Sequence, residues 1–166
     1  MPLVHLVPLC GAKIGATTYI KIGSSSDSPP ACSADNPTSH KPRTKDGSDR
    51  MKLLIVDDHA AMRRLIGRVV SDMVSEIEEC SDGAEALAIY HRCLPDWVLM
   101  DIEMDQLDGI TATREILLSY PHARVVIVSK YDDEQTREAA RKAGAYGYVL
   151  KENLMVIREL LLETGS

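Results

Sequence analysis

The hydrophobic pattern of this chain changes at Met51, where short apolar runs begin to alternate with amphipathic stretches. Four of the runs are almost continuously apolar, which is typical of strands buried on both faces, and one is more polar, which is typical of an edge strand. The runs are KLLIV (52–56), a weaker one around 77–80, DWVLM (96–100), RVVIV (124–128) and YGYVL (146–150). This part of the chain is therefore predicted to contain five strands.

The stretches that follow these runs predict helices. In the first stretch, apolar residues recur at positions 3, 4, 7, 8 and 11 after the first of them, which places them on one helical face. They are Met62, Leu65, Ile66, Val69, Val70 and Met73. The second stretch, DGAEALAIYHR (82–92), is rich in residues that favour helices.

Capping residues indicate where the next two helices begin and end. Asp108 is suited to cap the third helix, and Pro121 marks its end. Asp132 with Gln135 three positions later is typical of a capping box, and Gly144 can close that fourth helix. The fifth helix carries the apolar residues Leu154, Ile157, Leu160 and Leu161.

Strands that alternate with helices over short connections favour crossover packing and a parallel arrangement. We therefore predict an α/β fold with one parallel sheet covered by helices on both faces. In such sheets ligands bind at the carboxyl ends of the strands, where the strand order reverses. The residues that follow the strands are thus the first candidates for a functional site.

The first fifty residues have a different composition. Residues 23–50 are dense in Ser, Pro, Asp, Gly and Lys and offer little to bury, and residues 1–22 carry scattered apolar groups without a sustained period. Residues 1–50 are therefore predicted to be a disordered N-terminal extension of a domain at 51–166. Residues 1–50 hold six Lys and Arg against four Asp and Glu, a net charge of +2, and the remaining residues hold thirteen against twenty-one, a net charge of −8. A domain this acidic is a poor non-specific nucleic-acid binder, so no direct nucleic-acid binding is predicted.

The cysteines and the hydropathy profile indicate where the protein resides. Cys10, Cys32, Cys80 and Cys93 show no C-x-x-C spacing, which favours reduced thiols and a cytoplasmic location. No apolar stretch approaches the ~20 residues needed to span a bilayer, so no membrane association is predicted.

Polar side chains follow four of the five predicted strands. Asp57 and Asp58 follow the first strand, Asp101 the third, Ser129 the fourth and Lys151 the fifth. Because the carboxyl ends of parallel strands meet at one edge of the sheet, these residues are predicted to converge although they are far apart in sequence.

Three carboxylates at one site would repel one another unless a cation compensated their charge. Oxygen ligands with few protein contacts suit Mg²⁺, so Asp57 and Asp58 are predicted to hold this ion directly or through water. Asp101 could then remain ionised and act as a nucleophile toward phosphorus, which gives an aspartyl-phosphate. Lys151 and Ser129 are suited to neutralise the charge on the transferred phosphoryl group.

From Met51 to about Glu163 the chain resembles the receiver domain of two-component response regulators. The resemblance is carried by VDDH (56–59), the segment MDIEM followed by DG (100–109), the hydroxyl of Ser129 and GYVLK (147–151). It implies a flavodoxin-like, doubly wound (βα)5 sandwich with strand order 2-1-3-4-5. It also implies a phosphorelay signalling domain that catalyses only its own phosphorylation and dephosphorylation.

The resemblance assigns roles to individual residues. It implies that Asp101 takes the phosphoryl group from a phosphohistidine, and that Mg²⁺ is held by Asp57, Asp58, Asp101 and the backbone carbonyl of Glu103. It further implies that Ser129 and Tyr148 form a switch pair that remodels the surface around the fourth helix and fifth strand.

Three other residues lie near the predicted site. Glu103 and Tyr131 are surface residues by default, and the resemblance suggests that they gate water near the acyl phosphate and tune its lifetime. His59 is interpreted as a helix-entry residue rather than a catalytic base.

The resemblance also concerns partners and output. It implies a sensor histidine kinase or phosphotransfer protein as donor, a downstream protein target, and the option of a phosphorylation-dependent homodimer. Asp105 and Glu152 stand where the family often has Pro, and DDH and LKEN are more similar to receivers that precede a helix-turn-helix domain. The alternatives are thus the receiver half of a DNA-binding regulator and an interaction module that works without phosphate.

Overall fold

The computed structural model describes residues 51–162, which form five strands, each followed by a helix. The elements are β1 (Met51–Val56), α1 (Ala60–Val70), β2 (Val74–Cys80), α2 (Gly83–Cys93), β3 (Trp97–Asp101), α3 (Gly109–Ser119), β4 (Val125–Ser129), α4 (Glu134–Ala143), β5 (Gly147–Leu150) and α5 (Met155–Leu162). All strand pairs are parallel, and the order in the sheet is β2-β1-β3-β4-β5. The predicted fold class and strand order are therefore confirmed.

Each face of the sheet buries its own hydrophobic core. Helices α1 and α5 cover one face, where Ile66 and Ile157 belong to the same cluster as Leu99 of β3. Helices α2, α3 and α4 cover the other face, where Ile116 clusters with Met100. Because both faces are covered, β1, β3, β4 and β5 are largely apolar, and polar residues follow at the carboxyl edge of the sheet.

Some predicted boundaries and burial patterns differ from the structure. The edge strand β2 is longer than the predicted 77–80. Only its end residues Val74 and Cys80 are buried, and the Ser and Glu residues between them interrupt the apolar run. Leu65 was predicted to face the core but is 46% exposed. It lies about 100° around α1 from the buried Ile66, and the buried stripe is narrower than the predicted face. Trp97 is fully buried, and Gly144 closes α4 with a φ of 90°.

The two predicted helix caps had different outcomes. Asp108 caps α3 as predicted, and its Oδ1 accepts a hydrogen bond from the backbone N–H of Thr111 at 3.0 Å. The prediction for α4 was wrong by one residue, since Asp133 is the cap and accepts from the backbone of the third helical residue at 2.8 Å. Asp132 is instead the acceptor for the side chain of Arg137.

Within residues 51–162, no helix is both long enough and apolar enough to cross a lipid bilayer. Cys80 and Cys93 carry free thiols. The predicted N-terminal extension, residues 1–50, and the last four residues lie outside the described residues.

Candidate functional site

The carboxyl ends of four strands bring the sequence-predicted site residues to one edge of the sheet. Asp101 and Ser129 are the last residues of β3 and β4, while Asp57 and Lys151 directly follow β1 and β5. The backbone N–H of Lys151 donates to the carbonyl of Ser129 at 2.8 Å, which fixes the ends of β4 and β5 against each other. Residues separated by long stretches of sequence therefore become neighbours because their strands are parallel.

The ammonium group of Lys151 bridges two buried carboxylates. Its Nζ donates to Oδ2 of Asp101 at 2.7 Å and lies 2.9 Å from Oδ2 of Asp57. The side chains of Asp101 and Asp57 are 4% and 2% exposed, so water provides little of their stabilisation. One positive charge thus compensates two adjacent negative charges.

Burial and charge shift the pKa values of this pair. Burial raises the pKa of Asp101, and although the Lys151 ammonium acts against this, the Asp57 carboxylate adds to the increase. Burial acts to lower the pKa of Lys151, but the hydrogen bond to Asp101 and the negative charges of Asp101 and Asp57 outweigh it, so this pKa is also raised. The site therefore has more negative charge than its one ammonium stabilises.

The carboxylate of Asp57 uses its two oxygens differently. Oδ1 accepts a hydrogen bond from the backbone N–H of His59 at 2.8 Å. Oδ2 is buried and accepts no well-aligned hydrogen bond from residues 51–162, although Nζ of Lys151 lies 2.9 Å away. A buried carboxylate oxygen with an incomplete set of partners is suited to bind a cation.

Asp58 and His59 lie beside Asp57 and complete a group that can hold a metal ion. Ligand atoms of these three residues all lie within 4.8 Å of one another, and Nδ1 of His59 contacts the Asp58 carboxylate. His59 also occupies the N-cap position of α1, in agreement with its interpretation as a helix-entry residue. Carboxylate oxygens with room for waters match the coordination that Mg²⁺ requires, so the residues present fit this ion.

Arg63 supports this acidic loop, and this role of Arg63 was not predicted from the sequence. Its Nη1 donates to the backbone carbonyl of Asp57 at 2.6 Å, and its Nε donates to Oε2 of Glu79 at 2.8 Å. The side chain is only 15% exposed although it is charged. Arg63 therefore ties the end of β1 to the edge strand β2.

Glu103 and Tyr131 meet above the carboxyl edge of the sheet. The hydroxyl of Tyr131 donates to Oε1 of Glu103 at 2.5 Å, and Nζ of Lys130 lies 2.5 Å from Oε2 of the same carboxylate. The Lys130 ammonium is also 5.2 Å from the centroid of the Tyr131 ring. This cluster joins the loop after β3 to the loop after β4, and the Lys130 and Tyr131 hydrogen bonds lower the pKa of Glu103.

Ser129 and Tyr148 are both buried and both bind the backbone of Tyr131. Oγ of Ser129 accepts from the backbone N–H of Tyr131 at 3.1 Å, and the hydroxyl of Tyr148 donates to the Tyr131 carbonyl at 2.7 Å. Each residue is 1% exposed. The structure therefore links the two through one peptide segment at the start of the loop after β4.

Gly109, which the sequence analysis named only as part of the DG motif, has a steric role at the site. A Cβ atom at this position would lie 1.7 Å from the backbone carbonyl oxygen of Asp101. The backbone N–H of Gly109 donates to the carbonyl of Ile102 at 3.0 Å, which folds the loop back onto the end of β3. A glycine is required here because the start of α3 closely approaches the main chain of Asp101.

Comparisons with known proteins identify the family of this chain. A family model described as the response regulator receiver domain matches residues 53–161. The chain is 36% identical over 107 residues to the transcriptional regulatory protein DegU of Brevibacillus brevis, covering 63% of this chain and 45% of that protein. It is 36% identical over 100 residues to the chemotaxis protein CheY of Halobacterium salinarum, covering 60% of this chain and 83% of that protein.

Solved structures show the same relationship. The receiver domain of the histidine kinase CKI1 from Arabidopsis thaliana, complexed with Mg²⁺ and BeF₃⁻, superimposes with a TM-score of 0.60 at 27% identity. The match covers 69% of this chain and 91% of that one. The chain spans about half the length of the first curated relatives it matches. Fold, site geometry and family match together show that the chain belongs to the response regulator receiver domain family of two-component signal transduction systems.

Proposed function

We propose that this receiver accepts a phosphoryl group on Asp101 from a phosphohistidine and switches its surface for a downstream partner. The observation that carries the proposal is the position of the Lys151 ammonium, 2.7 Å from Asp101 and 2.9 Å from Asp57. This arrangement supports an ionised carboxylate beside a fixed positive charge at the end of a parallel sheet. A cleft of about 300 Å³ lined by Asp101, Lys130 and Lys151, among others, gives space for a phosphoryl donor.

In the proposed reaction a carboxylate oxygen of Asp101 attacks phosphorus while the bond from phosphorus to the donor imidazole nitrogen breaks. The electron pair of that bond leaves on the imidazole, which keeps or takes up one proton, and Asp101 becomes a mixed anhydride. Lys151 and the Ser129 hydroxyl stabilise the negative charge on the phosphoryl oxygens.

We assign the metal ligands to Asp57, Asp58 and Asp101 with the backbone carbonyl of Glu103. The residues at the end of β1 fit Mg²⁺, since they provide carboxylate oxygens with one buried oxygen incompletely paired. When bound, Mg²⁺ would neutralise the carboxylates and the transferred phosphoryl group. Mg²⁺ and BeF₃⁻ in the CKI1 receiver structure support the same choice.

We assign the conformational response to Ser129 and Tyr148. Ser129 lies at the end of β4, next to the strand that ends in Asp101, so a phosphoryl group on Asp101 can attract its hydroxyl. Any movement of Ser129 changes its hydrogen bond to Tyr131, whose carbonyl holds the Tyr148 hydroxyl. The pair can thereby transmit charge at Asp101 to the surface formed by α4 and β5.

The donor in this proposal is a sensor histidine kinase or a phosphotransfer protein in the cytoplasm. The chain acts as a signalling domain, and its catalysis is limited to its own phosphorylation and dephosphorylation. A protein target, or a second phosphorylated copy, receives the output.

A second candidate function is that of the receiver half of a DNA-binding transcriptional regulator. The observation that favours it is the match to DegU, a transcriptional regulatory protein of which this chain spans 45%. The match to CheY, of which the chain spans 83%, favours a receiver that acts alone. Sequencing the gene beyond codon 166 separates the two, since only the regulator requires a helix-turn-helix segment downstream.

The test of the main proposal is intact-mass spectrometry after incubation with acetyl phosphate and Mg²⁺. The parent protein is expected to gain one phosphoryl group, and Asp101→Asn none. Asp105→Asn is the matched control, because Asp105 is an exposed acid in the same loop, and it is expected to behave like the parent. An adduct on Asp101→Asn would contradict the assignment, and no adduct on the parent would favour a phosphate-independent interaction module.

A further inference from the structure

The side chain of Arg137 connects the first turn of α4 to the ring of Tyr148. Its Nε donates to Oδ1 of Asp132 at 2.9 Å, and its Nη2 contacts the same oxygen. The guanidinium carbon lies 4.8 Å from the centroid of the Tyr148 ring. The Arg137 side chain is 10% exposed, compared with 57% for Asp132. A charged group is therefore largely withdrawn from water and held between an exposed carboxylate and a buried ring.

Hydrogen bonds alone do not compensate the buried guanidinium. Nη1 of Arg137 is buried and has no hydrogen-bond acceptor within residues 51–162. A charged donor in this situation is unfavourable unless another group stabilises it. The negative face of an aromatic ring is such a group, and Arg is well suited to stack on it. While it stays in its buried position, the Tyr148 ring thus adds a compensation that the Asp132 carboxylate does not give to Nη1 of Arg137.

Tyr148 is fixed at two points. Its hydroxyl donates to the Tyr131 carbonyl at 2.7 Å, and its ring lies against the Arg137 guanidinium. The first contact holds the tip of the side chain and the second holds its face. Rotation of the ring out of the core would break both contacts.

We propose that Arg137 is a positioning residue that holds the Tyr148 ring in its buried position and thereby favours the phosphorylated conformation. The inference rests on the proposed function, in which Ser129 and Tyr148 form the switch pair and the Tyr148 ring lies inward in the phosphorylated state. Because Arg137 belongs to α4, the same contact couples the ring to the first turn of that helix. Movement of Tyr148 then changes the packing of α4.

The position of the ring can be measured directly in the full chain. We would place 3-fluorotyrosine at position 148 and record ¹⁹F NMR spectra of the parent, Arg137→Met and Arg141→Met. Arg141 is the matched control, since it lies one turn later on α4 and pairs with Glu138 at 2.6 Å. Arg137→Met is expected to move the resonance toward that of a solvent-exposed ring, and Arg141→Met to leave it unchanged.

The effect on the switch is measured by the affinity for BeF₃⁻ in the presence of Mg²⁺. Loss of a desolvated cation–π contact changes an equilibrium constant by about tenfold, so Arg137→Met is expected to weaken BeF₃⁻ binding by about that factor. In a Tyr148→Leu background the same substitution is expected to have no further effect. A purely structural role would lower the affinity equally in both backgrounds or leave it unchanged in both.

The outcomes separate this inference from the proposed function. If the parent binds no BeF₃⁻ with Mg²⁺, the proposed function fails, whereas the ¹⁹F comparison still decides whether Arg137 positions the ring. An unchanged ¹⁹F resonance in Arg137→Met overturns the inference even if BeF₃⁻ binds. Should Arg137→Met not fold, Arg137→Lys keeps the charge without the planar stack and is expected to give a smaller shift in the same direction.

Discussion

Lys151 and Asp101 form a 2.7 Å hydrogen bond although their strands, β5 and β3, are separated in the sheet by β4. The Lys151 side chain reaches across the end of β4 and also approaches Asp57 at the end of β1. One side chain therefore connects the ends of three strands through charge. This relationship gives testable consequences for stability as well as for phosphorylation.

Replacing Lys151 by Ala should destabilise the fold, because it leaves two buried carboxylates without their ammonium. Removing one partner of a buried ion pair costs about 3 kcal/mol in free energy of unfolding. Urea denaturation in EDTA measures this loss, and added Mg²⁺ is expected to restore more stability to Lys151→Ala than to the parent. Lys130→Ala removes an exposed ammonium from the same edge and serves as the control. Equal Mg²⁺ effects in all three proteins would contradict the prediction.

Replacing Asp101 by Asn should stabilise the metal-free fold at neutral pH. Burial raises the pKa of Asp101, so its ionised form is less favourable in the folded chain than in the unfolded chain. The resulting loss of folding stability is fully present at pH values above the pKa of Asp101 in the folded chain. It vanishes as the pH falls toward the ordinary pKa of 3.8.

The increase in thermal midpoint of Asp101→Asn over the parent should therefore be present at pH 7 and shrink on acidification. Thermal melts in EDTA from pH 7 to pH 4 test this expectation. Mg²⁺ should reduce the difference at pH 7, since a cation stabilises the ionised carboxylate. A difference in thermal midpoint between Asp101→Asn and the parent that stays constant across the pH range would refute the electrostatic explanation.

Removing the Tyr131 side chain should shorten the lifetime of the acyl phosphate. The Tyr131 hydroxyl donates to Glu103 at 2.5 Å and joins two loops at the edge where Asp101 lies, so Tyr131→Ala opens a path for water. Dephosphorylation of the isolated phosphoprotein is expected to accelerate severalfold, and Glu103→Ala should act in the same direction. Leu118→Ala changes an exposed residue of α3 and is the control. An unchanged lifetime in both site variants would exclude this role.

Replacing Gly109 by Ala should disrupt the loop after β3. The new Cβ would lie 1.7 Å from the Asp101 carbonyl oxygen, so the main chain of the phosphoacceptor must move. We expect a loss of about 3 kcal/mol or more in free energy of unfolding, measured by urea denaturation.

Gly67 provides the matched control for this substitution. A Cβ at Gly67 has its nearest neighbour at 3.8 Å, and the residue lies within helix α1. Gly67→Ala should therefore stabilise the protein by up to ~1 kcal/mol, because alanine has the higher helix propensity. If both alanine variants had the same stability, close approach to Asp101 would not be the reason for Gly109.

The sequence alone determined the strands and the identity of the residues that follow them. Burial on both faces requires continuous apolar runs, and that requirement is local, so KLLIV and RVVIV predicted β1 and β4 to within one residue at each end. The cap at Asp108 was equally local, because it depends on residues three positions apart. The more polar edge strand β2 was recognised only in part, because its apolar signal was weak.

Only the tertiary structure decided which distant groups are partners. Arg137 is an ordinary helical residue in the sequence, and its burial against Tyr148 depends on how α4 packs on β5. The close approach of Gly109 to Asp101 depends on the fold of an entire loop. Hydrophobic periodicity describes one element at a time, whereas charge compensation and steric limits arise between elements. The strands therefore follow from local composition, and the chemistry at their ends follows from parallel packing that brings Asp57, Asp101 and Lys151 together.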